Sequence, residues 1–509
     1  MRLIALSISL WLAIAAVAIG ADKFTVVDAI RHAINTHPDV GQAAAHRRAT
    51  EAVLRQGQGT LLPQVRLDAR AGPERLSQQI TPPPLGNDTW LRGRDAGVTV
   101  RQTLFDGFAS INDIWRRAAD VDAAAYRVHE RTELVALDAA ESYIDVVRYI
   151  DLIAIAQENI AVHRKILLDV RSRFIGGRSG MGDLEQAEER VAAAEATLAD
   201  LRRNADDARA AYRRNVGLEP FNLRKPGRLH GLPGAKEEAL AVAVQRNPTI
   251  QAAKSDAESA RYGFHATAGD FVPNISVEAH ALRGKDSDNF LGTRDQASAK
   301  LVASWDIFNG GQSSWRRAEA ADRMIEADMR HASLQRAALE SIDKAWSART
   351  LTADRIAALT REVESDRKIV VAFGAEYELG QRTLIDVLNA QNQLFGSLVS
   401  LTTTRSVAVF ADYQLLAAMG TLMDYLGQPH AAEEEPFVTK PFGPFPLKMA
   451  PLLLTAPVSA SQPPAVAPPM GAQSPAADKG EDGTFADRWP QTPARPNIAT
   501  GSGWRWRSQ

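Results

Sequence analysis

Two stretches decide the fold, "VTVRQTLFDG" at 98–107 and "LVASWDIFNGG" at 301–311. Each alternates apolar and polar residues, reaches a Phe (Phe105, Phe308) and a Gly (Gly107, Gly310), and runs on into helical sequence containing Trp-Arg-Arg. Alternation is the period of a strand with one apolar face, and the sequence after each Gly has the period of a helix. The chain writes one strand-to-helix junction twice.

Outward from the junctions the match continues in order, as expected of a tandem duplication. "VVDAIRHAINTHPDV" (26–40) pairs with "ALAVAVQRNPTI" (239–250), and "LLPQVRLDARA" (61–71) with "FVPNISVEAHA" (271–281). Beyond the junctions, "GGRSGMGDLEQA" (176–187) pairs with "LGQRTLIDVLNA" (379–390), and the copies close near Gly217 and Gly420. Pro38 and Pro248 interrupt helical patterns and predict breaks there. After Pro63 and Pro273 comes strand alternation. Val65, Leu67, Ile275, Val277, Leu301 and Ala303 fall on apolar faces, while Ser276 falls on the polar face, where even an Arg is expected to be tolerated. Return strands are expected around 94–105 and 296–308.

Neither helical stretch, about Ala109 to Ile175 or about Ser313 to Leu379, contains Pro. Roughly 67 residues at 1.5 Å each make a helix of about 100 Å. Each is expected to turn at glycines (Gly176, Gly177, Gly380) into a returning helix with Asp183 or Asp386 in its first turn, where a carboxylate suits the helix dipole.

These patterns divide the chain into a leader at 1–20, a first repeat at 21–217 (β-hairpin 61–106, helical hairpin 107–217), a connector at 218–238 and a second repeat at 239–422 (β-hairpin 271–309, helical hairpin 310–422). A Pro-rich tail at 429–509 is expected to be disordered or extended. "MRLIALSISLWLAIAAVAIG" has the charge, apolar run and small residues of a secretory signal. After it no apolar run of about 18 residues occurs, so any crossing of a membrane is expected to use a β-barrel. With no Cys there is neither a disulfide nor a lipid-anchoring thiol, and the net charge of −2 gives no reason to expect nucleic acid. Four strands cannot close a barrel, for which roughly eight are the minimum, so the chain is expected to associate. Three copies would supply twelve strands above a tube of long helices.

The duplication, the "TLFDG" and "DIFNGG" junctions, and "YELGQRTLIDVLNAQNQLFGSLVSLTTTRSVAVFADYQLLAAMGTL" at 377–422 resemble the TolC family of outer-membrane channel proteins, from about residue 24 to 428. The resemblance implies a mainly α fold with a small β part: a homotrimer with a twelve-stranded transmembrane β-barrel in outer-membrane lipid and a periplasmic α-helical tunnel. It also implies a passive exit channel working with a periplasmic adaptor (membrane fusion) protein and an inner-membrane ABC or other exporter. The closing segment resembles type I protein secretion members most. Multidrug or metal efflux is the alternative, and a soluble periplasmic coiled-coil adaptor or scaffold is the alternative of another class.

The resemblance further implies a periplasmic gate of Asp183, Tyr377 and Arg382, with Gly182 where a small polar residue usually precedes the aspartate. The acidic constriction of the family maps onto Asp386 and Asn389, the second neutral here. Chemistry is not expected. "GGRSGMGD" lacks the strand before and the Lys-Ser/Thr end of a phosphate loop, the histidines lack metal-ligand spacing, and no Gly-x-Ser-x-Gly occurs, so neither enzyme, cofactor nor metal is read from the chain.

Overall fold

The computed structural model describes residues 23–76, 89–288 and 292–437. The leader at 1–20 and the tail beyond Phe437 lie outside the described residues. The first copy runs α1 (Val26–Thr36), α2 (Pro38–Gly59), β1 (Gln64–Leu76), β2 (Thr89–Phe105), α3 (Ala109–Ile175) and α4 (Met181–Val216). The second runs α5 (Lys236–Arg246), α6 (Pro248–Ala266), β3 (Asn274–Lys285), β4 (Thr293–Ser304), α7 (Gln312–Glu378) and α8 (Leu384–Met419), with a short α9 (Leu422–Tyr425) after it. Corresponding helices of the hairpins have equal length, 67 residues for α3 and α7 and 36 for α4 and α8. Both proline breaks are helix starts. His37 caps Asp39 N, Asn247 caps Ile250 N, and the proline takes the first helical position, where its missing N–H costs nothing.

The four strands form one antiparallel sheet in the order β1-β2-β3-β4. Its register aligns Val65, Val100, Ala279 and Ala299 in one row and Leu67, Val98, Ala281 and Ala297 in another, with Val277 opposite Leu301. All of these share a face, because paired residues point the same way. Among the described residues nothing covers it: Val65, Leu67 and Leu301 are 69%, 73% and 70% exposed. The opposite face is polar, with Thr99 Oγ1 and His280 Nδ1 3.0 Å apart and Arg101 3.3 Å from Glu278.

Two strand-level expectations need correction. Ser276, read as a tolerant polar position, is 2% exposed, so an Arg there would have to displace the groups that cover it. Strand β4 stops at Ser304, short of Phe308, because its partner β3 begins at Asn274, which pairs with Ser304, and further residues have no neighbour to pair with.

At each junction the Asp or Asn of the repeated motif caps the long helix. Asp106 accepts from the Ser110 N–H at 2.8 Å and from its hydroxyl; Asn309 accepts from the Ser313 N–H at 3.4 Å and donates to its Oγ at 2.8 Å. The turn into the helix is left-handed in both copies, at Gly107 and Phe108 in the first and Gly310 and Gly311 in the second.

A buried belt joins the copies. Tyr143 donates from its hydroxyl to the carbonyls of Phe24 and Arg224, at 2.6 and 2.7 Å, and so ties α3 to the segment before α1 and to the connector. Asp412 on α8 has no exposed surface; it accepts from Arg228 Nε and Nη2 at 2.6 and 2.9 Å and from Leu229 N at 3.1 Å, with Arg349 of α7 at 3.4 Å. These contacts qualify the expectation that no helix after the leader could span a bilayer. Helix α8 is long and apolar enough by composition. However, it lies against α7 and α3 and holds this buried ion network, so its apolar residues serve helix packing.

The tail begins later than expected. Residues 430–437 pack back onto the body: Glu434 accepts from the Thr132 hydroxyl at 2.9 Å, Phe437 N donates to Asp122 at 2.5 Å, and the Phe437 ring lies on the Leu54, Ile114, Ala118 and Val121 cluster. The Phe437 ring, the partnered Glu434 carboxylate, and the contacts of His430 with Asp424 and of Arg48 with Glu433 hold in place a segment whose composition reads as loose chain.

Candidate functional site

The two helical hairpins end in the same way. The N–H groups of Gly177 and Arg178 donate to the carbonyls of Phe174 and Arg173, and those of Gly380 and Gln381 to Tyr377 and Glu376, with Gly177 and Gly380 at positive φ. This is the six-to-one closure that satisfies the last carbonyls of a helix and needs glycine at its left-handed residue. The tips then meet through a small apolar cluster of Val170, Leu184, Ala187, Leu384 and Leu388, on which Tyr377 packs.

The structure brings Asp183 and Tyr377 to the same junction. Asp183 accepts from the Ser179 hydroxyl at 2.7 Å within its own hairpin. The ring of Tyr377 receives the guanidinium of Arg173 from the other hairpin, 4.6 Å from its centroid. Burial pushes the Tyr377 hydroxyl up from the usual tyrosine range; Arg173 opposes this, while Asp169 and Asp183 add to it. Arg382 stays within the second hairpin, 2.9 Å from Glu376 and over the ring of Phe373 at 4.0 Å. Asp386 accepts from the Thr383 hydroxyl at 2.6 Å and from its N–H at 3.3 Å. The Thr383 hydroxyl, with help from its N–H and Arg382, holds the Asp386 carboxyl below its ordinary range despite some desolvation. Asn389 is exposed one turn further along α8.

Sequence reading misses Arg173, Glu376 and Phe373. Glu376 and Phe373 stand within a few residues of Tyr377, but Arg173 is 204 positions away (377 − 173) and nothing local marks it as that ring's partner. Elsewhere, His129, His430 and Glu434 could together reach a metal ion, but both nitrogens of His430 already meet carboxylates, Glu434 at 2.7 Å and Asp424 at 2.8 Å.

One four-stranded sheet with an uncovered apolar region, to which each copy gives a hairpin that continues into helices far longer than a domain is wide, defines the protomer of a membrane channel. The chain matches the model of the outer membrane efflux protein family over residues 29–218 and 239–427, which are the two copies, and it belongs to that family. It is 28% identical over 337 residues to the outer membrane efflux protein BepC of Brucella suis, covering 65% of this chain and 73% of the relative. With the alkaline protease secretion protein AprF of Pseudomonas aeruginosa it shares 22% identity over 412 residues, 79% of this chain and 84% of the relative. The solved outer membrane protein VceC of Vibrio cholerae has the same fold, with a TM-score of 0.68 at 20% identity, covering 78% of this chain and 96% of that one. The tandem TolC-like fold and the outer-membrane location are thereby established, and the soluble scaffold reading falls.

Proposed function

We propose that three copies of the chain close into a barrel and tunnel that serves as the exit duct for exported protein, handed over by an inner-membrane exporter through a periplasmic adaptor, and gated at the hairpin tips by Asp183, Tyr377 and Arg382. The observation that carries the duct is the sheet: the outer edges of β1 and β4 have no neighbour among the described residues, while the half of one face nearer the helices is almost entirely apolar and exposed. Open edges are excluded from hydrocarbon, so copies must supply each other's missing neighbours. Ile307 and Phe308, exposed just past β4, add apolar surface beside that edge for a neighbouring copy to cover.

Protein cargo is supported by the resemblance of the closing segment 377–422 to secretion members and by the likeness to a protease secretion protein over most of its length. Small-molecule efflux is the second reading, supported by the likeness to BepC. The test is complementation in a host lacking its own channel. The chain is expressed beside a type I protein exporter with its adaptor, and separately beside a drug pump with its adaptor. Secreted protease in the first strain is expected; drug resistance restored in the second with none in the first would reject the protein-secretion reading.

A further inference from the structure

We propose that the outward face of the sheet ends, at the margin away from the helices, in a binding site for the phosphorylated headgroups of an outer-leaflet glycolipid. The inference goes beyond the cargo question and stands whichever cargo is carried.

Strand register is the starting point. Counting from the helix end, the outward rows from Ile275 with Ala303 up to Leu67 with Val98, Ala281 and Ala297 are apolar apart from Gln102, opposite Val277. The next row brings Arg283, the one after it pairs Arg94 with Lys285, and Arg92 stands one row further on, opposite Pro73. Ile275 to Arg283 is eight steps, about 27 Å along a strand and roughly 20 Å in height at a tilt of about 40°. Apolar bands of outer-membrane barrels are about 25 Å tall. Lys285, two residues further on, stands at roughly 26 Å, so the row of Arg94 and Lys285 begins where hydrocarbon ends, and Arg283, just inside, is paired with Asp295. That row lies at the outer surface, because β2 and β4 lead into the periplasmic helices α3 and α7 at the opposite end.

Arg92, Arg94 and Lys285 line one open groove of about 680 Å³ with Ala71, Gly72 and Pro73. Among the described residues these three cations make no ion pair, whereas Arg283 is 3.3 Å from Asp295. The acid beside them, Asp286, already accepts from the Gly292 N–H at 2.8 Å. Two guanidinium forks and an ammonium in an open groove match phosphate oxygens. Trp90, on the same face beyond Arg92 and 69% exposed, is the amphipathic ring expected at headgroup level. A headgroup is favoured over free phosphate because only the row of Ala69, Ala96, Arg283 and Asp295 separates the groove from the apolar rows that would hold the attached acyl chains.

The test uses the full chain, purified as a trimer in detergent and titrated by thermophoresis with bisphosphorylated lipid A, with the same lipid dephosphorylated, and with inorganic phosphate. The parent should prefer the phosphorylated lipid, and Arg92→Gln, Arg94→Gln and Lys285→Gln should each weaken binding roughly fivefold while the trimer still forms. Raising salt tenfold should weaken the parent on the order of tenfold, a measurement that needs no variant. Equal affinity for the dephosphorylated lipid, salt-independent binding, or assembled Gln variants that bind like the parent would overturn the proposal. So would competition by millimolar inorganic phosphate, which would make the groove a free-anion site.

Discussion

Arg173→Gln is the sharpest perturbation of the tip. Arg173 lies over the Tyr377 ring and bridges the two hairpins of one chain, whereas its salt bridge to Asp169, at 2.8 Å, stays inside α3 and cannot bias their separation. A cation over an aromatic ring contributes about 0.5–1 kcal/mol when exposed and about 2 kcal/mol when desolvated. With a quarter of the Arg173 side chain exposed, about 1 kcal/mol per chain is reasonable. Three tips moving together would then lose about 3 kcal/mol, roughly 150-fold in the ratio of closed to open tunnels. Single-channel recording in planar bilayers should show a higher open fraction for Arg173→Gln. Tyr377→Ala should open further, since it also strips the ring from the Leu184 and Leu388 cluster. Tyr377→Phe keeps the ring and should behave like the parent. If Tyr377→Phe opens the channel as far as Tyr377→Ala, the ring-face reasoning is wrong and the hydroxyl, bonded to a neighbouring copy, is the latch. Arg382→Ser tests the third gate residue: its contacts within one chain, Glu376 and Phe373, are internal to one hairpin, so the proposed gate needs Arg382 to bind a neighbouring copy as well, and Arg382→Ser should raise the open fraction; parent-like gating would remove Arg382 from the gate.

The same geometry sets further outcomes. Ala279→Arg, on the outward face near mid-height of the apolar rows, should cost about 2–4 kcal/mol and lower the yield of heat-sensitive, SDS-resistant trimer. Ser298→Arg, on the opposite face, should leave that yield unchanged. Gly107→Ala would place its Cβ 2.2 Å from Val272 Cγ2 at a φ of +66°, and should lower trimer stability well beyond Gly310→Ala, which meets nothing within 4 Å and incurs only the left-handed strain of about 1–2 kcal/mol. Asp386→Ala should reduce cation preference and divalent block in bilayer recordings without opening the gate, because a ring of three carboxylates concentrates cations. His430 should give the segment 430–437 a pH dependence. Burial pushes its pKa down, but bonds to Asp424 and Glu434 outweigh this and raise it above the ordinary value of 6.5. The stabilisation is therefore complete below about pH 6.5 and is lost as pH rises through the raised value, with His129 facing the same ring at 5.1 Å. Hydrogen exchange at residues 432–437 should speed up with pH, after correction for intrinsic rates, in the parent but not in His430→Gln.

Much of the fold is legible in the chain because it is local. Alternation, proline breaks, glycine-bearing tips and the repeated Asp/Asn-Gly junction each involve a handful of neighbouring residues, and duplication gives every such signal a second reading. The tip residues Asp183, Asp386 and Asn389 are placed by the same local signals together with the family pattern. Ser276 is misread because alternation shows which face a side chain takes but not how closely other side chains cover that face. The segment after Gln428 is misread because its order comes from Thr132 and Asp122, about three hundred residues earlier, rather than from its own composition.

Short windows of sequence thus settle the elements, their two-fold repetition and the apolar face of the sheet, since periodicity and turn chemistry act over a few residues. Tertiary packing alone makes Arg173 meet Tyr377, buries Asp412 among Arg228, Leu229 and Arg349, and gathers Arg92, Arg94 and Lys285 into one groove. Each of these brings together segments distant in sequence, and such contacts depend on strand register, helix packing and the path of the connector, which no local window contains.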